Sequence, residues 1–184
     1  SHTGSDSLYF NKNSNFPGMG AYNAPDSPYH SWYTFHRWPD YYNSWWNFDT
    51  LPTVNKMDPA FLDYIITGED SVVAFWLRNG ADGFRLDVAD GLPDEFLKLL
   101  YDRVKEINPD AYVLGEVWED ASNKTAYNRR RTYFTNAELD SVMNYPFKNA
   151  IIAYATGADD GFGIRETVET LLENCLLPYN SDTY

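Results

Sequence analysis

Cysteine is nearly absent. Cys175 is the one cysteine in 184 residues, so no disulfide can form within the chain. It falls in an apolar helical pattern and reads as a small buried hydrophobe. Positive charge is scarce, with 14 Lys and Arg against 27 Asp and Glu and a net charge of −13. That balance argues against a nucleic-acid partner, because phosphate binding needs a basic surface. No run approaches the roughly 20 apolar residues of a membrane span. Of the three histidines, His30 and His36 stand six apart in an aromatic loop. Loop packing explains them better than a metal, and no His or Asp cluster of a divalent-metal enzyme is visible. No signal-peptide pattern is present, and Ser1-His2 does not resemble a natural start, so the sequence names no compartment.

What the chain has in abundance is aromatic: 6 Trp, 15 Tyr and 11 Phe make up 17% of it. Many of these rings stand in polar loops, where flat faces suit stacking on sugar rings better than filling a core. They concentrate in residues 1–57, a stretch of low periodicity rich in Asn, Ser, Pro and Gly. Long structureless segments are uncommon unless functional, and aromatic richness argues against disorder. We therefore expect an ordered, loop-rich subdomain, with short strands around 31–35.

From Asp58 the text changes. Asp58-Pro59 is a cap followed by a first-turn proline. Apolar residues then recur at helical spacing to Leu77, with Gly68 placed to kink or split the helix. After Asn79-Gly80 comes Phe84-Arg85-Leu86-Asp87-Val88, an alternating run that reads as a strand. A helix follows from about Pro93 to Ile107, with Phe96, Leu97, Leu100 and Val104 on one face. The second strand spans 112–118. Residues 119–138 are polar, and Arg129-Arg130-Arg131 reads as a solvated face. A weaker strand at 141–145, a helix at about 147–155 and a last helix at about 163–177 complete the chain. Helix and strand alternate in units of about 30 residues, which implies parallel β/α architecture. Three strands cannot close a barrel that needs roughly 250 residues. The chain reads as a small open α/β domain or as part of a larger barrel.

Two carboxylates stand out. Asp87 and Glu116 lie 29 positions apart, one β/α unit, each at the end of a strand. Retaining glycoside hydrolysis uses such a pair, with the groups about 5–5.5 Å apart. The nucleophile must stay ionised, and Arg85, two positions from Asp87, favours its charged form. The acid must start protonated, and the apolar neighbours of Glu116 would raise its pKa. A structural Arg–Asp pair buried in the strand, with Glu116 capping a helix, fits the same spacing.

The motif Gly83-Phe84-Arg85-Leu86-Asp87-Val88-Ala89 resembles the second signature region of the α-amylase superfamily, glycoside hydrolase family 13. Gly115-Glu116-Val117-Trp118 resembles the third region, and Leu51-Pro52-Thr53-Val54-Asn55 the fifth. Ser1-His2 is similar to the tail of the first. The four segments fall in family order. Trp118 and the aromatic segment 29–49 look most like the neopullulanase, cyclomaltodextrinase and maltogenic amylase branch.

The resemblance implies part of a (β/α)8 TIM barrel, about strands 4 to 6 over residues 58–184, with residues 1–57 as the loop-rich domain B after strand 3. It implies α-1,4-glucan as substrate, Asp87 as nucleophile, Glu116 as acid and base, and Arg85 holding Asp87. His2 would meet the sugar at the cleavage subsite, while Trp118 and Asp90 would shape the acceptor side. The domain B aromatics, Trp45 and Trp46 among them, would line the cleft. Calcium is conceivable by analogy, with Asn11, Asn13 and Asp26 as oxygen donors. Otherwise no cofactor is expected.

The sequence departs from the family pattern too. Thr53 and Asp90-Gly91 replace residues common in the branch. The fourth region's His-Asp pair occurs nowhere in the chain, and the first-region Asp is missing. We expect a section of a longer enzyme, inactive by itself and prone to self-association through open sheet edges. The competing expectation is a non-catalytic glucan-binding or regulatory module on the same fold.

Overall fold

The computed structural model describes residues 2–157. The helix expected at 163–177, and Cys175 with it, lie outside these residues. The chain divides into two compact units, Ser1–Ala74 and Phe75–Tyr184.

The first unit is built on rings. Phe10 is fully buried, with Tyr42 at 4.7 Å and Tyr33 at 4.9 Å between ring centroids, both edge-on. Trp32 forms a second nucleus with Tyr9, Tyr29, Phe61 and Tyr64. The expectation that loop aromatics cannot serve a core is therefore corrected. Aliphatic side chains are few here, so Phe and Tyr supply the apolar area that excludes water, and edge-on geometry adds to it. Buried amides hold the loops. Asn11, in the left-handed conformation, accepts from the Phe16 N–H and donates to the Phe16 and Gly18 carbonyls.

Strand β1 (Phe35–Arg37) pairs antiparallel with β2 (Tyr41–Tyr42). The strand thus starts where sequence pattern ends it, because His30–Trp32 forms a 3-10 turn. Asp58 caps α1 (Pro59–Leu62), accepting from the Ala60 and Phe61 N–H groups at 3.0 Å. A π-helical turn, Asp63–Thr67, follows and ends at Gly68. A side chain at Gly68 would lie 2.6 Å from the Asp63 carbonyl, so the glycine splits the helix as its position implies. The chain restarts in α2 (Val72–Arg78), within which the boundary between the units falls.

In the second unit β3 (Gly83–Leu86), β4 (Tyr112–Gly115) and β7 (Ser141–Val142) form a parallel sheet in the order β3-β4-β7. Helix α3 (Asp94–Ile107) connects β3 to β4 and buries Phe96, Leu97, Leu100 and Val104, as the periodicity predicts. Asp140 pins the sheet. It accepts from the Val113 N–H at 2.7 Å and from Lys105 of α3 at 2.9 Å. A small antiparallel hairpin, β5 (Thr125–Ala126) and β6 (Arg129–Arg130), rises from the segment after β4. Helix α4 (Tyr145–Thr156) closes the described chain, with Asn144 capping it through the Phe147 N–H.

Candidate active site

The parallel ladder sets the site. Its register pairs Arg85 with Leu114 and Leu86 with Gly115. The Glu116 N–H then donates to the Leu86 carbonyl at 3.0 Å, so Asp87 and Glu116 leave their strands at one level. Glycine at 115 permits close packing: a side chain there would meet Leu139 and Ala89. Both strands end one residue before their carboxylate, so Glu116 follows β4 rather than lying in a strand running to 118.

Arg85 joins the two acids. One guanidinium nitrogen contacts Asp87, and the other lies 2.7 Å from Oε1 of Glu116. The Val88 N–H donates to Oε2 of Glu116 at 2.9 Å. Two features of this constellation differ from the sequence expectation. The Arg–Asp pair is not buried, for the Asp87 side chain is 76% exposed and that of Arg85 is 40% exposed. The Glu116 side chain is only 9% exposed, yet its pKa is held below the ordinary carboxylate value rather than above it. The cause is hydrogen bonding from the Trp118 side chain and from the Val88 N–H, helped by the charge of Arg85, which together outweigh desolvation.

Trp118, itself mostly exposed, is thus the largest influence lowering the pKa of the acid. Asp90 lies three residues past Asp87 in a 3-10 turn, Ala89–Gly91. Its carboxylate accepts from Tyr133 and pairs with Lys124 at 3.0 Å. In the first unit His2, Trp45 and Trp46 form a stack, with centroid spacings of 5.3 and 5.2 Å. Trp46 has a left-handed backbone and is 78% exposed. Site residues named from sequence thus assemble in each unit: Arg85, Asp87 and Glu116, with Trp118 acting on Glu116, in the second, and His2, Trp45 and Trp46 in the first.

Two of the calcium donors suggested by analogy, Asn11 and Asn13, have other partners. Both ends of the Asn11 amide serve its own loop, and Asn13 donates to Asp6. Among the described residues no cluster of three His, Cys, Asp or Glu side chains forms that could hold a metal.

The arginine run is the largest correction. Arg131 is buried, not solvated, with Nε 2.5 Å from Asp94. Its Nη atoms donate to the Asp90 and Leu92 carbonyls at 3.1 and 2.7 Å. Arg129 pairs with Asp94 and Glu95, while Arg130 stays exposed and donates to the Ser122 carbonyl. Sequence reasoning missed Arg131 and Val88. The acidic set Asp90, Asp94 and Glu95, one β/α unit before the arginines, was the available signal for the first. Nothing in the sequence marks Val88.

A partial (β/α)8 sheet carrying paired acids around an arginine defines a class of glycoside-hydrolase domain. The chain belongs to the alpha amylase catalytic-domain family, whose match covers residues 1–174. It is 31% identical over 188 residues to an amylopullulanase of Thermoanaerobacterium saccharolyticum, across 91% of this chain and 14% of that protein. It is 32% identical to neopullulanase 2 of Thermoactinomyces vulgaris over 139 residues, 71% of this chain and 22% of that protein. Among solved structures, a debranching enzyme of Nostoc punctiforme superposes with a TM-score of 0.71 at 26% identity, across 94% of this chain and 37% of that one. The chain thus spans between a seventh and two fifths of the lengths of these relatives.

Proposed function

We propose that the protein carrying this chain hydrolyses α-1,4-glucosidic bonds with retention, and that Asp87 and Glu116 do the chemistry. The observation that carries the reading is the single Arg85 guanidinium touching both carboxylates. Asp87 attacks the anomeric carbon while Glu116 protonates the departing glycosidic oxygen. Water, deprotonated by Glu116, then attacks the glycosyl–Asp87 ester and frees Asp87. Glu116 must take up a proton before the first step. A bound glucan that excludes water raises a carboxyl pKa, which opposes the lowering by Trp118, Val88 and Arg85. The exposed Trp46 face and its stack suit the apolar faces of successive glucose rings. The relatives' names, amylopullulanase and neopullulanase, support an α-glucan substrate.

Residues 1–57 correspond in this reading to domain B and 58–184 to barrel strands 4 to 6. The 184-residue chain alone turns over little or no glucan, because its sequence lacks the family's fourth-region His-Asp. The test compares Asp87→Asn and Glu116→Gln with the parent in the whole protein, on maltotriose and cyclodextrin. Glu116→Gln should lose about 10²–10⁴ in kcat while glucan still binds. Unchanged turnover in both variants would refute these roles, and a parent that binds glucan without turning it over would leave a binding module. Robust turnover by the isolated chain would refute its inactivity.

A further inference from the structure

Val88 is a β-branched residue at φ 45° and ψ 62°, in the left-handed region that such side chains rarely occupy. Strain of this kind persists only where surroundings over-determine it. On one side the strained residue donates its N–H to Oε2 of Glu116, and the next residue, Ala89, donates to the Glu116 carbonyl at 3.0 Å. On the other side lies the 3-10 turn Ala89–Gly91, and Arg131 holds this turn by two backbone carbonyls. Arg131 reaches the carbonyls of Asp90 and Leu92 and the carboxylate of Asp94, so its planar fork spans the middle of the turn, its C-terminal side and the first residue of α3. Tyr127 donates to the Gly91 carbonyl at 2.8 Å, and Tyr133 and Lys124 hold the Asp90 side chain. The guanidinium also lies over the Tyr133 ring at 4.7 Å.

We propose that Arg131 is a positioning residue for Glu116, acting through the Val88–Leu92 turn: it clamps the turn so that the Val88 N–H stays on the Glu116 carboxylate. The inference rests on the acid and base role of Glu116 for its catalytic meaning, but not for its structural content. A lysine cannot replace Arg131, since one ammonium does not span two carbonyls and a carboxylate in the fork geometry. Loosening the turn withdraws a donor that favours ionised Glu116, so the Glu116 pKa rises. The charged groups facing Glu116 are Arg85 and Asp87, from β3 and its end, and neither contacts Arg131 in the structure.

The experiment uses the whole protein with Arg131→Lys, Asp94→Asn and the control Arg130→Lys. The first readout is a carbon-13 titration of the Glu116 carboxyl, which needs no turnover. Arg131→Lys should raise its pKa by about 0.5 unit or more, Asp94→Asn should move it the same way, and Arg130→Lys should leave it in place. The second readout is the pH profile of kcat/KM on maltotriose. Its alkaline limb should follow the carboxyl upward, with kcat down about 3- to 10-fold and KM within about twofold. If Arg131→Lys does not fold, Asp94→Asn decides. A folded Arg131→Lys or Asp94→Asn with an unshifted Glu116, or a control that shifts equally, overturns the proposal. A parent that shows no glucan hydrolysis sinks the catalytic reading alone, because the titration still reports on the clamp.

Discussion

Two glycines lie in the strands that deliver the carboxylates, and alanine at each separates a backbone clash from a side-chain clash. At Gly83, φ is 153° and a side chain would lie 1.9 Å from the Tyr112 carbonyl oxygen and 2.6 Å from its nitrogen. The obstacle is the backbone of β4, the ladder partner, so no rotamer change relieves it. The strands must part by about 1.5 Å to reach ordinary contact at 3.4 Å. That breaks the 2.8 Å bond from the Tyr112 N–H to the Asp82 carbonyl. Overpacking costs about 1–3 kcal/mol, and the lost bond adds about 1 kcal/mol. Gly83→Ala should therefore destabilise by about 2–4 kcal/mol. At Gly115 the nearest atom, at 2.5 Å, is the end of the Leu139 side chain, with Ala89 next at 3.3 Å. Leu139 can turn, so Gly115→Ala should cost about 1–2 kcal/mol. The assay is urea unfolding of the whole protein. With a slope of about 2 kcal/mol/M, Gly83→Ala lowers the midpoint by about 1–2 M and Gly115→Ala by about half that. A Gly83→Ala midpoint equal to the parent's, or a larger loss for Gly115→Ala, would refute the reasoning about which contact is rigid.

Two further outcomes follow from the site. Trp46→Ala should raise the Kd for maltotriose about 3- to 10-fold, the worth of one stacked ring at about 0.5–1.5 kcal/mol, with the urea midpoint unchanged because the ring is exposed; isothermal titration with an inactive Asp87→Asn background measures it. Glu116 has a depressed folded pKa, so it contributes stability above its unfolded value of 4.5, and that contribution is lost as pH falls through the lower folded value. Glu116→Gln should accordingly flatten the fall in melting temperature below about pH 4.5, and a parent and variant that fall in parallel would contradict the assigned hydrogen bonds.

Much of the chain from Asp58 onward was legible because its signals are local. Alternation around Arg85 and Asp87, the Asp58-Pro59 cap and the α3 stripe each depend on neighbours in sequence, and each appears within a few residues of its expected place. The Arg131 clamp was not legible. A run of three arginines looks solvated until Asp94, from the start of α3, comes within reach of two of them. The fate of the aromatics depended likewise on long-range packing. Phe10 reads as a loop residue and becomes the centre of a core because Tyr33 and Tyr42 fold onto it from 23 and 32 positions away.

By itself the sequence determined which groups are present: two carboxylates one β/α unit apart, an arginine two positions before the first, and the glycines that let the strands approach. Periodicity and capping are properties of neighbouring residues, so they needed no fold to be read. Only the tertiary structure decided the state of those groups. It placed Glu116 under the Val88 N–H and the Trp118 side chain, turning a carboxyl expected to bind its proton tightly into one that releases it easily. The reason is physical: a pKa answers to the donors and charges that surround a group in space, and the chain order does not say which those are.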